Sequence, residues 1–166
     1  MLETDEWRHF RRRMDKAGIA VEFEMHALSW ILNRSLFDKH KEWFRKNEKG
    51  VRIPEFNCCA SNPDVLDYIR ERSAELARIF HPDTDKYYFW IDDVASASCQ
   101  CEKCRALSPS DQALTLYNAI ADGLSSVNSR AKQSYLAYYA TLPVPTNVKK
   151  RDNVFLEFAP LARDFD

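Results

Sequence analysis

The chain has only three glycines, no long apolar run and no excess of either charge. A membrane-spanning helix needs about 20 consecutive apolar residues, and no segment reaches that length. Lysine and arginine number 24 against 25 acidic residues, so there is no electrostatic case for a nucleic-acid partner. The first residues are polar and lack the apolar stretch of a secretory signal. Membrane-spanning and nucleic-acid-binding functions are therefore disfavoured, and the cellular location is left open.

The scarcity of glycine also disfavours flexible linkers, and the chain is expected to form a single α/β domain over residues 1–166. Hydrophobic residues make up 45% of the sequence and aromatic residues 13%, which is enough for one packed core. Aromatic residues serve both cores and sugar-stacking surfaces, and composition alone does not separate these two uses.

Strands and helices are predicted to alternate along the chain. Apolar alternation and β-branched or aromatic runs predict five strands, at residues 19–25, 53–59, 87–92, 134–140 and 153–158. Capping residues and apolar stripes predict four helices, which begin after Thr4, near Phe37, after Asn62 and after Ser108. The first helix is expected to end at Gly18, the second near Lys46 and the last near Leu124.

Such alternation is typical of a parallel sheet with right-handed crossovers. Five strands fit either part of a (β/α)₈ barrel or an open doubly wound sheet. A complete barrel takes about 250 residues, so the length favours the middle part of a barrel, with the remaining strands supplied by a longer parent chain.

The third predicted strand carries the most informative motif. It is an aromatic run that ends in two adjacent carboxylates, Asp92 and Asp93. In parallel α/β folds, functional residues collect at the carboxyl ends of strands. The two acids are therefore candidate catalytic residues, and the alternative is that one of them caps the following loop.

Three cysteines follow the acids, at positions 99, 101 and 104. Tetrahedral zinc takes four ligands, and either Cys58 or Cys59 is available as the fourth; Cys59 is preferred. Cysteines in all four positions would leave no open coordination site, so such a zinc would be structural. The alternatives are reduced cysteines packed as small apolar residues, or one disulfide.

Several motifs together resemble a bacterial glycoside-hydrolase-like family long listed as a domain of unknown function, which includes endo-β-N-acetylglucosaminidases acting on complex N-glycans. The matching segments are His26 with Trp30, residues 42–44, residues 50–52, residues 57–63, residues 90–93, the cysteines within residues 99–104, Asn118, residues 136–138 and residues 155–160. The resemblance implies a TIM-barrel catalytic domain, of which this chain holds the middle strands. Many relatives have Asn-Asp at positions 92 and 93, so Asp93 alone corresponds to the common acid.

Adjacent acids also resemble the pair used by substrate-assisted N-acetylhexosaminidases, which need no protein nucleophile. By that resemblance Asp92 orients the substrate's 2-acetamido group and Asp93 protonates the leaving oxygen, without a catalytic cofactor. The candidate substrate-binding residues are His26, Trp30, Asn62, Tyr138 and Glu157. Trp30 either stacks on a sugar ring or packs in the core.

The leading hypothesis is thus a glycoside hydrolase that acts on β-linked N-acetylglucosamine in glycans with retention of configuration, provided that the barrel is complete. One alternative is a non-catalytic carbohydrate-binding remnant of such a barrel. Another is a small zinc-stabilised interaction module.

Overall fold

Four short segments form one parallel sheet. The computed structural model describes residues 4–94 and 97–160. The strands are β1 (Phe23–His26), β2 (Lys86–Trp90), β3 (Lys132–Ala137) and β4 (Val154–Phe158). They lie in the sheet in chain order, each parallel to the next.

The helices begin and end at residues whose chemistry favours those positions. The helices are α1 (Asp5–Ala17), α2 (Leu28–Ile31), α3 (Pro63–Ile79), α4 (Glu102–Arg105) and α5 (Pro109–Ser125). The predicted caps are confirmed: side chains of Thr4, Asn62 and Ser108 accept backbone N–H groups of α1, α3 and α5. Gly18 ends α1 in the left-handed conformation, with φ of 68°, which glycine adopts without steric cost.

The two long helices cover one face of the sheet and pack against each other. Their contact is close at Gly123 of α5, where a Cβ atom would overlap the carbonyl oxygen of Arg70 in α3. Between helices and sheet lies a core that includes Tyr87, Phe89 and Ile120, all nearly inaccessible to solvent. In a (β/α)₈ barrel the strands follow one another in chain order and the helices lie on one face of the sheet, as they do here. A doubly wound sheet carries helices on both faces.

The opposite face of the sheet is more polar. Because side chains alternate between faces along a strand, His26, Trp90, Ser134 and Glu157 point away from the buried core. None of the helices in the described residues is both long enough and apolar enough to cross a membrane. The predicted α/β fold of parallel strand–helix units is confirmed, and the structure is consistent with part of a larger parallel β/α fold.

Two predicted elements are wrong. Residues 53–59 are not a strand of the sheet, which therefore has four strands where five were expected, and residues 37–46 are not an α-helix. Instead, the chain turns back at Asn47, whose side chain accepts the N–H groups of Lys49 and Val51. Isolated antiparallel bridges then join the two arms of this loop, from Phe44 to Cys58 and from Lys46 to Arg52. A segment paired with itself in this way is not available to the parallel sheet.

A buried carboxylate of α5 anchors the crossing from β3 to β4. Asp111 completes a capping box with Ser108 and also accepts the backbone N–H groups of residues 146, 147 and 148. Although burial opposes it, hydrogen bonds from Ser108 and Asn147 hold the pKa of Asp111 well below its usual range. The ionised form of this side chain therefore stabilises the fold.

We expect Asp111→Asn to lower the free energy of unfolding at pH 7 by about 2–3 kcal/mol, because hydrogen bonds to a charged acceptor are lost. Since folding lowers the pKa of Asp111, its contribution is complete above the unfolded value of about 3.9 and is lost as the pH falls through the folded value. Urea unfolding at several pH values measures this difference. Asp67→Asn, at an exposed pair with Arg70 on α3, is the control and should change stability by less than about 1 kcal/mol.

Candidate functional site

The carboxyl ends of the four parallel strands meet at one edge of the sheet, and most of the predicted site residues lie there. His26 ends β1, Asp92 and Asp93 follow β2, and Tyr138 follows β3. Glu157 is the penultimate residue of β4. The parallel arrangement therefore brings together residues that are far apart in the sequence.

Asp92 is held in place by two donors from the segment after β1. Ser29 Oγ donates to Oδ1 at 2.6 Å, and Arg34 Nη2 donates to Oδ2 at 2.5 Å. The Asp92 side chain is 9% exposed. Both carboxylate oxygens thus act as acceptors, and the side chain has a fixed orientation.

Asp93 is different, because its side chain is exposed and has no hydrogen bond or ion pair to any residue that the structure describes. It borders a small cavity of about 40 Å³, together with Asn57, Tyr138 and Tyr139. That volume holds about three water molecules. A sugar ring would therefore have to bind across the cavity mouth rather than inside it.

A row of polar and aromatic side chains crosses the open face of the sheet towards the two acids. Trp90 Nε1 donates to Glu157 Oε2 at 2.9 Å and to Ser134 Oγ at 3.1 Å. The His26 ring packs edge-on against Trp90, with ring centroids 5.4 Å apart. His26 Nδ1 lies 2.8 Å from the carbonyl oxygen of Ile91, which can only accept, so Nδ1 carries the hydrogen and Nε2 is available to a ligand.

The other predicted contact residues have separate positions. Trp30 is 75% exposed, beside Ser29, so the alternative that it packs in the core does not hold. Asn62 caps α3, and its Nδ2 donates to the Glu42 carbonyl oxygen, so its side-chain amide is used within the fold.

Two backbone distortions lie beside the acids. Phe56 has φ of 54° and Tyr139 has φ of 51°, in the left-handed region that bulky residues rarely adopt. Phe56 precedes Asn57, and Tyr139 borders the cavity. Such strain persists only where surrounding contacts impose it, and it concentrates at functional sites.

The cysteine cluster is the second feature at this edge. The sulfur atoms of Cys59, Cys99, Cys101 and Cys104 lie within 4.8 Å of one another, and all four residues are buried. Cys59 Sγ is 3.7 Å from that of Cys101 and 3.9 Å from that of Cys104. Zinc–sulfur bonds of about 2.3 Å in a tetrahedron give sulfur–sulfur edges of about 3.8 Å. The four cysteines therefore lie close enough together to bind a metal ion, and their spacing fits zinc.

Nearby donors suit the negative charge of metal-bound thiolates. The backbone N–H of Lys46 donates to Cys99 Sγ at 3.3 Å, and Arg52 Nη1 lies 3.8 Å from the same atom. Without metal, hydrogen bonds from Cys104 and Cys99 lower the pKa of Cys59, and the hydrogen bonds of Cys104 to Cys59 and Cys99 raise the pKa of Cys104. The cysteines of the cluster therefore titrate as a coupled group.

Cys58 belongs to the core and not to the cluster. It is 1% exposed, and burial raises the pKa of its thiol well above the usual range. Of the two adjacent cysteines that the sequence offers as the fourth member, the structure places Cys59 with the other three.

Sequence reasoning missed three residues that contact Asp92, namely Ser29, Arg34 and Asn57. Ser29 lies in the short helix α2 and Arg34 in the 3-10 turn that follows it, with no motif that indicates their partner. Asn57 begins the matching segment 57–63, and its position just before the two cysteines is the only signal that could have drawn attention to it.

Comparisons with known proteins give a family but no function. No curated protein and no solved structure gives a significant match to the chain. The family match covers residues 3–166, nearly the whole sequence. The chain therefore belongs to the family described as "Domain of unknown function (DUF4838)".

Proposed function

We propose that the chain is a glycoside hydrolase-like domain that acts on β-linked N-acetylglucosamine in glycans by a substrate-assisted, retaining mechanism. The observation that carries the proposal is that the two adjacent acids at the end of β2 have different surroundings. Asp92 is fixed by Ser29 and Arg34, whereas Asp93 is exposed beside a cavity. The resemblance of the surrounding motifs to a glycosidase-like family supports the same reading.

In this mechanism the oxygen of the substrate's 2-acetamido group attacks the anomeric carbon, and the bond to the leaving oxygen breaks. Asp93 donates its proton to that leaving oxygen and then accepts a proton from the water that opens the cyclic intermediate. Asp92 accepts from the acetamido N–H through a lone pair that Ser29 and Arg34 leave free. The fixed carboxylate thus orients the internal nucleophile, and the exposed one transfers the proton.

The open face of the sheet supplies the binding contacts. His26 Nε2 accepts a hydrogen bond from a sugar hydroxyl group, and the exposed Trp30 stacks on a sugar ring. Glu157 and Tyr138 offer further polar groups at the same edge. Asn62 has no part in this proposal, because the cap of α3 uses its amide.

The test is hydrolysis of a complex N-glycan and of a matched substrate that carries a hydroxyl group in place of the 2-acetamido group. We expect cleavage of the first and at least about a hundredfold slower cleavage of the second, because the internal nucleophile is missing. Equal rates would refute the substrate-assisted mechanism. Glycan binding without cleavage would favour the non-catalytic alternative.

We also propose that the four-cysteine cluster binds a structural zinc ion. The sulfur spacing and the donors around Cys99 support this assignment, and four thiolates leave no coordination position for substrate. Zinc would join the loop that contains Cys59 to the loop after β2. The third candidate function, a zinc-stabilised interaction module, predicts the same metal but no glycan affinity.

Further strands of a longer parent chain are the proposed partners of this sheet. Strands β1 and β4 are its edges, and neither has a second neighbour among the described residues. Unpaired edges expose backbone donors and acceptors that another strand can satisfy. A completed barrel would enclose the face that carries His26, Trp90 and Glu157.

A further inference from the structure

The side-chain amide of Asn57 forms hydrogen bonds with both the N–H and the carbonyl group of the Asp92 main chain. The Asp92 N–H donates to Asn57 Oδ1 at 2.9 Å, and Asn57 Nδ2 donates to the Asp92 carbonyl oxygen at 3.3 Å. Asn57 is 6% exposed, so water competes little for these bonds. The backbone between β2 and Asp93 is thus tied to a different loop, at the residue that precedes the exposed acid.

The same two loops are joined a second time by the cysteines. Cys59 lies two residues after Asn57, and Cys99 lies seven residues after Asp92. With a metal bound, the two loops are fixed to each other at both points, by the amide at one end and by thiolates at the other. Metal binding at the cluster would therefore restrain the position of Asn57 relative to Asp92.

The conformation of Phe56 indicates that this arrangement is imposed. Its φ of 54° is unfavourable for a bulky residue, although glycine would adopt it easily. The adjacent Asn57 is thereby directed to the Asp92 backbone, and a chain free of this constraint would relax into an extended or helical conformation. Contacts next to Asn57 offset this strain: the Arg45 guanidinium lies over the Phe56 ring, and Cys58 forms a backbone bridge with Phe44.

We infer that Asn57 is a positioning residue, which holds the backbone at Asp92 and, through it, directs the Asp93 carboxyl group. A metal ion bound by Cys59 would hold Asn57 in turn. The side chain of Asp92 has its own anchors in Ser29 and Arg34, so the amide acts on the main chain. Only the catalytic consequence of this inference rests on the proposed glycosidase function; the structural link does not.

The test is amide hydrogen exchange at Asp92, measured by NMR on the zinc-loaded chain. Asn57→Ala should speed exchange of the Asp92 amide about tenfold relative to amides of β3, because its acceptor is gone. Asn57→Asp keeps an acceptor oxygen and loses the donor, so it should give a smaller increase. Should the alanine variant fail to fold, the aspartate variant decides the question. Unchanged exchange at Asp92 in the folded variant would overturn the inference.

Asn118 provides a matched control, because its side-chain amide also forms two hydrogen bonds with a backbone segment. It accepts from the Arg151 N–H at 3.0 Å and donates to the Lys149 carbonyl oxygen at 2.9 Å. Asn118→Ala should leave exchange at Asp92 unchanged. The cobalt(II)-substituted protein should show the same thiolate spectrum in wild type and Asn57→Ala, whereas Cys59→Ala should speed exchange at Asp92. A Cys59 variant that leaves this exchange unaltered would overturn the metal link.

Kinetics then test the catalytic consequence separately. Asn57→Ala should reduce kcat for glycan cleavage about tenfold with little change in KM, since Asp93 is misdirected while the binding face is intact. Asn118→Ala should leave both constants unchanged. An inactive parent protein, with its further strands present, would refute the glycosidase proposal and would leave the exchange result standing, so the two failures are distinguishable.

Discussion

Replacement of Cys59 by alanine is expected to abolish metal binding and to lower the melting temperature by about 10 °C or more. Structural zinc contributes folding free energy directly, because the unfolded chain has no preformed site. A loss of at least about 3 kcal/mol corresponds to such a shift for a domain of this size. Metal content by mass spectrometry and a thermal melt measure the two effects, and a zinc chelator added to wild type should reproduce the lower melting temperature.

The neighbouring Cys58 offers a closely matched control. Cys58→Ala removes a sulfur atom that is equally buried but lies outside the cluster. We expect it to cost about 1 kcal/mol through lost packing and to leave one zinc ion per chain. If both variants melt alike and neither wild type nor variant contains metal, the four thiols are core residues and the zinc assignment is wrong.

Asp93→Asn is expected to reduce kcat for glycan hydrolysis by about 10²–10⁴-fold, because the amide cannot donate the proton that the leaving oxygen requires. Binding should persist, since the substitution preserves the shape of the side chain. Steady-state kinetics and glycan binding by calorimetry, on wild type and variant, measure the two properties separately.

Asp152 provides the comparison for this experiment, because it is an exposed acid just before β4, at the end of the sheet where the strands begin and away from Asp93. Asp152→Asn should leave both kcat and binding unchanged. Full turnover by Asp93→Asn would remove Asp93 from the mechanism. A loss of turnover by both variants would point to a general effect of charge and not to proton transfer.

Features that depend on neighbouring residues were predictable from the sequence. The caps at Thr4, Asn62 and Ser108 each act on the first turn of their own helix, and the aromatic run of β2 has a strong local preference for a strand. Asp92 and Asp93 could be placed at a strand end for the same reason. The grouping of the cysteines followed from their chemistry, since Cys-x-Cys-x-x-Cys leaves one ligand position to fill.

Features that depend on distant partners were not predictable in this way. The segment from Phe37 to Cys59 contains strand-like and helix-like patterns, but its turn at Asn47 and its bridges between distant residues decide its conformation. The ion pair of Arg34 with Asp92 joins residues far apart in the chain and has no sequence signature. The same holds for the two hydrogen bonds between Asn57 and the Asp92 backbone. They depend on the strained conformation of Phe56 and on the position of the residues that follow β2.

The most direct test of the account is the configuration of the first product when the zinc-loaded parent protein, with its further strands present, cleaves a β-linked N-acetylglucosamine substrate, followed by proton NMR at early times. A mechanism in which the 2-acetamido group is the nucleophile proceeds through two inversions at the anomeric carbon, so the β-anomer should accumulate first and mutarotate later. First accumulation of the α-anomer would contradict the roles given to Asp92 and Asp93. Complete absence of cleavage by the longer parent protein, in which further strands complete the barrel, would contradict the proposed hydrolase function itself.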